Sequence, residues 1–149
     1  MKAKFLYFTL LICNCTQARD GYWTSDIGQG IFESRLKNSD GYSFTIDCGA
    51  ELSPIGQNAR AFLEKNDIYY EPSTKNILAI KFNSIVYLIP FGNRSNGNDQ
   101  KWRNILEGII SSASFSVYVN KKLLTSFSYK KESANKNVLN AEKCLQRKV

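Results

Sequence analysis

The chain has 149 residues, of which 20 are basic and 13 acidic, and a formal charge of +7. With 43% hydrophobic and 22% charged residues it has the composition of a globular domain, not of a disordered tail. It contains no histidine, which excludes Ser-His-Asp and Cys-His nucleophilic schemes and every His-based metal site.

Lys2 and Lys4 precede the apolar run of residues 5–12, and small residues follow at Thr16 and Ala18. This layout predicts a cleaved signal peptide over residues 1–18, cut between Ala18 and Arg19, and a periplasmic or secreted product. The run is less than half the roughly 20 apolar residues that a membrane-spanning helix needs. A lipid anchor on Cys13 or Cys15 is the competing reading, but Ile12 and Asn14 stand where a lipidation site needs a small residue. Cleavage leaves a basic domain over residues 19–149 with two cysteines, Cys48 and Cys144. In an oxidising compartment these predict one disulfide. Chain entropy values such a long closed loop at about 4–5 kcal/mol.

Along the mature chain, residues 31–37 read as a strand, Asn38-Ser39-Asp40-Gly41 as a turn, and residues 42–48 as the returning strand. In the second strand Tyr42, Phe44, Ile46 and Cys48 alternate with Ser43, Thr45 and Asp47, which predicts one buried and one wet face. Residues 49–76 carry Pro54, Gly56 and Pro72; within them residues 58–65 read as a short helix in preference to an irregular strand. Residues 77–91 read as two strands around Asn83-Ser84, and the polar residues 92–100 as an exposed loop. Asn93-Arg94-Ser95 matches the N-glycosylation triplet, which the loop's composition explains by itself.

Trp102, Ile105, Leu106, Ile109 and Ile110 recur at helical spacing, with Asn98 or Asp99 available as a cap. Trp102 is therefore read as a core residue and not as a stacking platform. Residues 115–119 and 123–129 form a second hairpin around Asn120-Lys121-Lys122. Ser133 is placed to cap a last helix whose apolar face is Ala134, Val138, Ala141 and Leu145, beside Cys144. Strand hairpins and helices in this arrangement predict an α+β fold, with a mainly antiparallel sheet, one helix packed on it and a C-terminal helix tied by the Cys48–Cys144 bridge.

The chain has no phosphate-cradling glycine loop and no calcium loop, so no cofactor and no metal is expected, and no residue is assigned as catalytic. Scattered carboxylates leave a small cell-wall hydrolase, working through a carboxylate pair, as the alternative function. Lys121, Lys122, Lys130, Lys131, Lys136, Lys143, Arg147 and Lys148 crowd the last third. Without interleaved aromatics they read as a solvated basic face and argue against a nucleic-acid partner.

An export leader, a Gly21-Tyr22-Trp23 start, Cys48 closing an early strand, the apolar helix over residues 102–110, the strand after it and a terminal helix follow one another in this chain. In that order they resemble the invasion-associated locus B type of small exported bacterial proteins. The chain departs from that pattern in lacking a second internal cysteine pair. The resemblance implies a β-rich periplasmic or surface protein and carries over no active-site residue. The expected function is a non-catalytic binding protein whose partner is another protein: a host-interaction factor, or an immunity-type inhibitor of a toxin or cell-wall enzyme.

Overall fold

Alternation along residues 31–48 produces the expected hairpin: β2 (Ile31–Lys37) runs antiparallel to β3 (Ser43–Cys48), with Leu36 opposite Phe44. Its turn holds Gly41 at φ 81, where a side chain would be strained, and Asn38 Oδ1 accepts a hydrogen bond from the Tyr42 amide at 2.9 Å. A strand that no periodicity announces, β1 (Trp23–Gly28), pairs with β2 and sets Trp23 opposite Leu36. The computed structural model describes residues 19–28, 31–48, 59–91 and 98–146, with the backbone alone for Cys48 and residues 139–146. The expected leader with its cleavage after Ala18, the Asn93 triplet, and the Cys48 and Cys144 side chains with their bridge lie outside the described residues.

The helix expected over residues 58–65 is instead a strand. β4 (Ala59–Lys65) pairs with β3, and β5 (Ile68–Tyr70) pairs with β4. Ala, Leu, Glu and Lys favour helices locally, but β3 offers a full row of backbone partners, and Ala61 and Leu63 fill buried positions against it. Tertiary pairing overrides a propensity of a few tenths of a kcal/mol per residue. Asn66 and Asp67, at φ 50 and 63, make the left-handed pair that a two-residue hairpin requires.

The second sheet has the order β7-β6-β8-β9, built from β6 (Leu78–Phe82), β7 (Ile85–Leu88), β8 (Ser114–Val119) and β9 (Lys122–Ser128). Both sheets are antiparallel throughout, and two helices complete an α+β fold. Helix α1 (Asn98–Ser111) takes residues 98–100, expected in the preceding loop, into its first turn. It buries Trp102, Ile105, Leu106 and Ile109. It lies so close to β6 that a Cβ on Gly108 would meet the Phe82 ring at 2.6 Å.

The two sheets meet in an aromatic cluster. Phe44 of the first lies 5.2 Å from Phe115 and 6.2 Å from Phe127 of the second, with Trp23 against Phe44 and Phe115. Tyr129 joins them and donates its hydroxyl proton to the Ile109 carbonyl at 2.8 Å, and burial pushes its ionisation upward. Asn38 Nδ2 crosses between the sheets to Thr125 Oγ1 at 2.8 Å and the Ser126 carbonyl at 2.9 Å.

The last helix, α2 (Lys131–Gln146), starts two residues before the expected cap, so Ser133 lies in its first turn. Ser133 Oγ donates to the Lys130 carbonyl and accepts from the Trp23 amide at 3.0 Å. Asn137 Nδ2 donates to the Trp23 carbonyl, its Oδ1 accepts from Ser25, and its carbonyl accepts from Ser34 Oγ at 2.7 Å. Besides its buried Ala134 and Val138, α2 is thus held by hydrogen bonds to β1 and β2 that its apolar spacing does not reveal.

Candidate functional site

The outer faces of the two sheets differ in what covers them. On the five-stranded sheet the registers align Glu33, Asp47 and Arg60 in one row and Arg35, Thr45 and Phe62 in the next. Arg60 makes a bidentate pair with Asp47, its Nη2 at 2.8 Å, and Arg35 pairs with Glu33 at 2.8 Å. Ser43, Thr45 and Asp47, expected on a wet face, are buried. They sit on a central strand, with β2 and β4 in register on either side. Desolvation raises the Asp47 pKa above its ordinary value, and the Arg60 hydrogen bonds and charge only partly offset this. Glu33 and Asp47 are adjacent carboxylates, but each is tied to an arginine on a flat face, which does not make the paired acid and base that a glycosidase uses.

The outer face of the four-stranded sheet is apolar over β7 and the start of β6. Register places Val86 beside Lys81 and Leu88 beside Ala79, with Tyr118 next to Ala79 on the far side. Together with Ile77 these residues line an open groove of about 390 Å³ with Lys121 at one end. Ile77, Val86 and Leu88 are 52%, 54% and 58% exposed. A second cleft of about 370 Å³ adjoins it through Lys81 and Tyr118. Ser114, Ser116, Ser126 and Ser128 line that cleft, and the Ser116 and Ser126 hydroxyls lie 2.8 Å apart.

The groove's end is rigid. The Asn120 amide donates to the Ile77 carbonyl, and Asn120 Oδ1 accepts from the Ile77 amide, both at 2.9 Å. The turn that carries this clamp holds Asn120 at φ 50 and Lys121 at φ 69. Glycine is the usual second residue of such a turn, and a side chain there costs about 1 kcal/mol. Asn66 and Asp67 make the same left-handed pair in the turn between β4 and β5. Among the described residues no carboxylate forms an ion pair with Lys81 or Lys121.

Of the residues singled out in sequence, Trp102 is in the core at 1% exposure, and Lys121 stands at the groove. Lys122, Lys130, Lys131 and Lys136 are exposed, and the side chains of Lys143, Arg147 and Lys148 lie outside the described residues. The groove residues Ile77, Val86, Leu88 and Tyr118 were not anticipated as a site. Ile77, Val86 and Leu88 lie in the apolar residues 77–91, read as two strands around Asn83-Ser84, and Tyr118 in the alternating strand after α1; neither pattern shows which side stays uncovered. Among the described residues no group of three or more Asp, Glu or Cys side chains is placed to hold a metal ion, and no helix is long and apolar enough to cross a membrane.

No solved structure matches the chain. It is similar to the uncharacterized protein YkfB of Escherichia coli (strain K12), 23% identical over 119 residues that make up 78% of this chain and 77% of that one. The YfjT family model matches residues 21–136, from two residues before β1 into α2 and so across both sheets, and the chain belongs to the YfjT family.

Proposed function

We propose that this protein is a non-catalytic binding protein of the periplasm or cell exterior that takes another protein on the outer face of its four-stranded sheet. One observation carries the reading: Ile77, Val86 and Leu88 stand exposed as a contiguous strip on rigid strands, flanked by Lys81 and Lys121. Single exposed apolar residues are ordinary on a protein surface, whereas a contiguous strip with a polar rim marks an interaction surface. The leader-like residues 1–18 and the Cys48 and Cys144 pair support the extracytoplasmic setting, as does the likeness in element order to the invasion-associated locus B type. A host-interaction factor and an immunity-type inhibitor of a toxin or cell-wall enzyme both fit a surface of this kind.

The test compares capture from an envelope extract by the unaltered protein, by Leu88→Glu and by Glu64→Gln on the other sheet. A partner held by the first and third proteins and lost by the second supports the reading. Equal retention by all three overturns it, and murein clearing by the purified protein in a zymogram would replace it with a hydrolase. N-terminal sequencing of exported material should begin at Arg19, and non-reducing peptide mapping should link Cys48 to Cys144.

A further inference from the structure

Strand β7 is an edge of its sheet, with β6 as its neighbour. The Ile89 amide bonds to the Leu78 carbonyl at 2.9 Å, so Leu78 and Ile89 form a hydrogen-bonded pair. Antiparallel pairs alternate, which makes Ile80 with Tyr87 and Phe82 with Ile85 the next bonded pairs along the register. The backbone groups of Val86 and Leu88 therefore point away from β6, toward the open edge. Among the described residues they have no backbone partner there.

Proteins usually blunt such edges with lysine, proline or a bulge. β7 has none of these: its sequence is Ile-Val-Tyr-Leu, and it pairs with β6 without a register shift. The other edge, β9, is handled differently, since Asn38 bonds to the Ser126 carbonyl and to Thr125, and a register shift distorts the pairing between β8 and β9. One edge is thus closed off, and the other presents main-chain groups beside an apolar groove.

We infer that the partner docks as an extended segment that adds a strand to β7 and turns both apolar and acidic side chains, from every second residue, toward the groove. Main-chain bonds to Val86 and Leu88 would supply the pairing. On the groove's face, apolar side chains of the added strand would lie beside Val86 and Leu88, and a carboxylate would reach toward Lys81 one strand further in, which has no carboxylate partner among the described residues. A second copy of the chain fits less well, because its β7 would bring the same lysines and no carboxylate to the groove. This inference rests on the proposed docking face and narrows it to one occupant.

The probe is a synthetic peptide repeating Glu-Thr-Val-Thr, which puts Glu and Val on one face of a strand, with a Lys-Thr-Val-Thr repeat as control, read by amide hydrogen exchange and by binding affinity. The acidic peptide should slow exchange at Val86 and Leu88 by about tenfold or more, and the basic one should not bind. Lys81→Glu should weaken the acidic peptide by about tenfold. Binding without protection of those two amides would overturn strand addition and leave the docking face standing. Protection that depends on protein concentration with no peptide present would assign the edge to a second copy and overturn the inference. Failure of the acidic peptide to bind would overturn it as well, while the Leu88→Glu capture comparison decides the docking face independently.

Discussion

The five-stranded sheet closes its outer face with opposite charges and long side chains, whereas the four-stranded sheet leaves its outer face apolar and gives it charge of a single sign. On the first, Asp47 and Thr45 are 5% and 0% exposed, and arginines answer the carboxylates within the sheet. On the second, Val86 and Leu88 are more than half exposed, and Lys81 and Lys121 have no carboxylate partner among the described residues. A face that satisfies its own charges has nothing left to offer a partner, and one that does not is available for binding. Under the proposed function, the difference gives one sheet to stability and the other to binding.

If the first face is built for stability, removing Arg60 should have the largest effect. Arg60→Ala leaves the Asp47 carboxylate with little water and no counter-ion. We expect a loss of about 1–3 kcal/mol in urea denaturation at neutral pH, the lower part of the range reflecting the exposed guanidinium. The pH dependence sharpens the point. Because the folded pKa of Asp47 is raised above its ordinary value of 3.8, the folded state binds that proton more tightly than the unfolded chain. Its contribution to stability is fully present below the ordinary value and is lost as pH rises through the folded one. Asp47→Asn, which cannot titrate, should remove that slope from a stability-versus-pH series.

Thr45→Val comes next. The Thr45 hydroxyl is buried without a hydrogen-bond partner, so an apolar group of the same shape should raise stability by about 1 kcal/mol in the same assay. Lys121→Gly tests the other face: relief of its left-handed strain should stabilise the protein by about 0.5–1 kcal/mol while partner capture falls. Smallest of all is the effect of Leu88→Glu on folding, within about 0.5 kcal/mol because the side chain is already exposed. A large loss of stability in that variant would show that the strip contributes to the core and would erase the contrast between the sheets.

Clean periodicity was readable from the sequence: the alternation of Phe44 and Ile46, the Asp40-Gly41 turn and the helical recurrence from Trp102 to Ile109 each specify an element locally. β4 was not readable, because Ala59–Lys65 is composed largely of helix formers and becomes a strand only through β3. β1 was hidden by its polar residues, which β2 and the polar grip of α2 hold in place. The candidate site was hidden for a different reason. Which side of residues 77–91 faces outward depends on where α1 packs, and the run itself is apolar on both sides. Only Lys121, among the basic residues noted in sequence, pointed to that face, and its left-handed backbone is a property of the folded turn.

The grip of α2 on β1 also has a consequence for when the molecule can form. The Trp23 amide and carbonyl are bonded to Ser133 and Asn137, 110 and 114 positions further along the chain. A ribosome therefore completes the first strand's partners last, and until α2 emerges Trp23 lacks both of those bonds. Contacts of such long sequence separation form slowly. For the exported chain we propose, that delay is an advantage, since translocation requires an unfolded polypeptide and α2 withholds closure until Ser133 and Asn137 have been made.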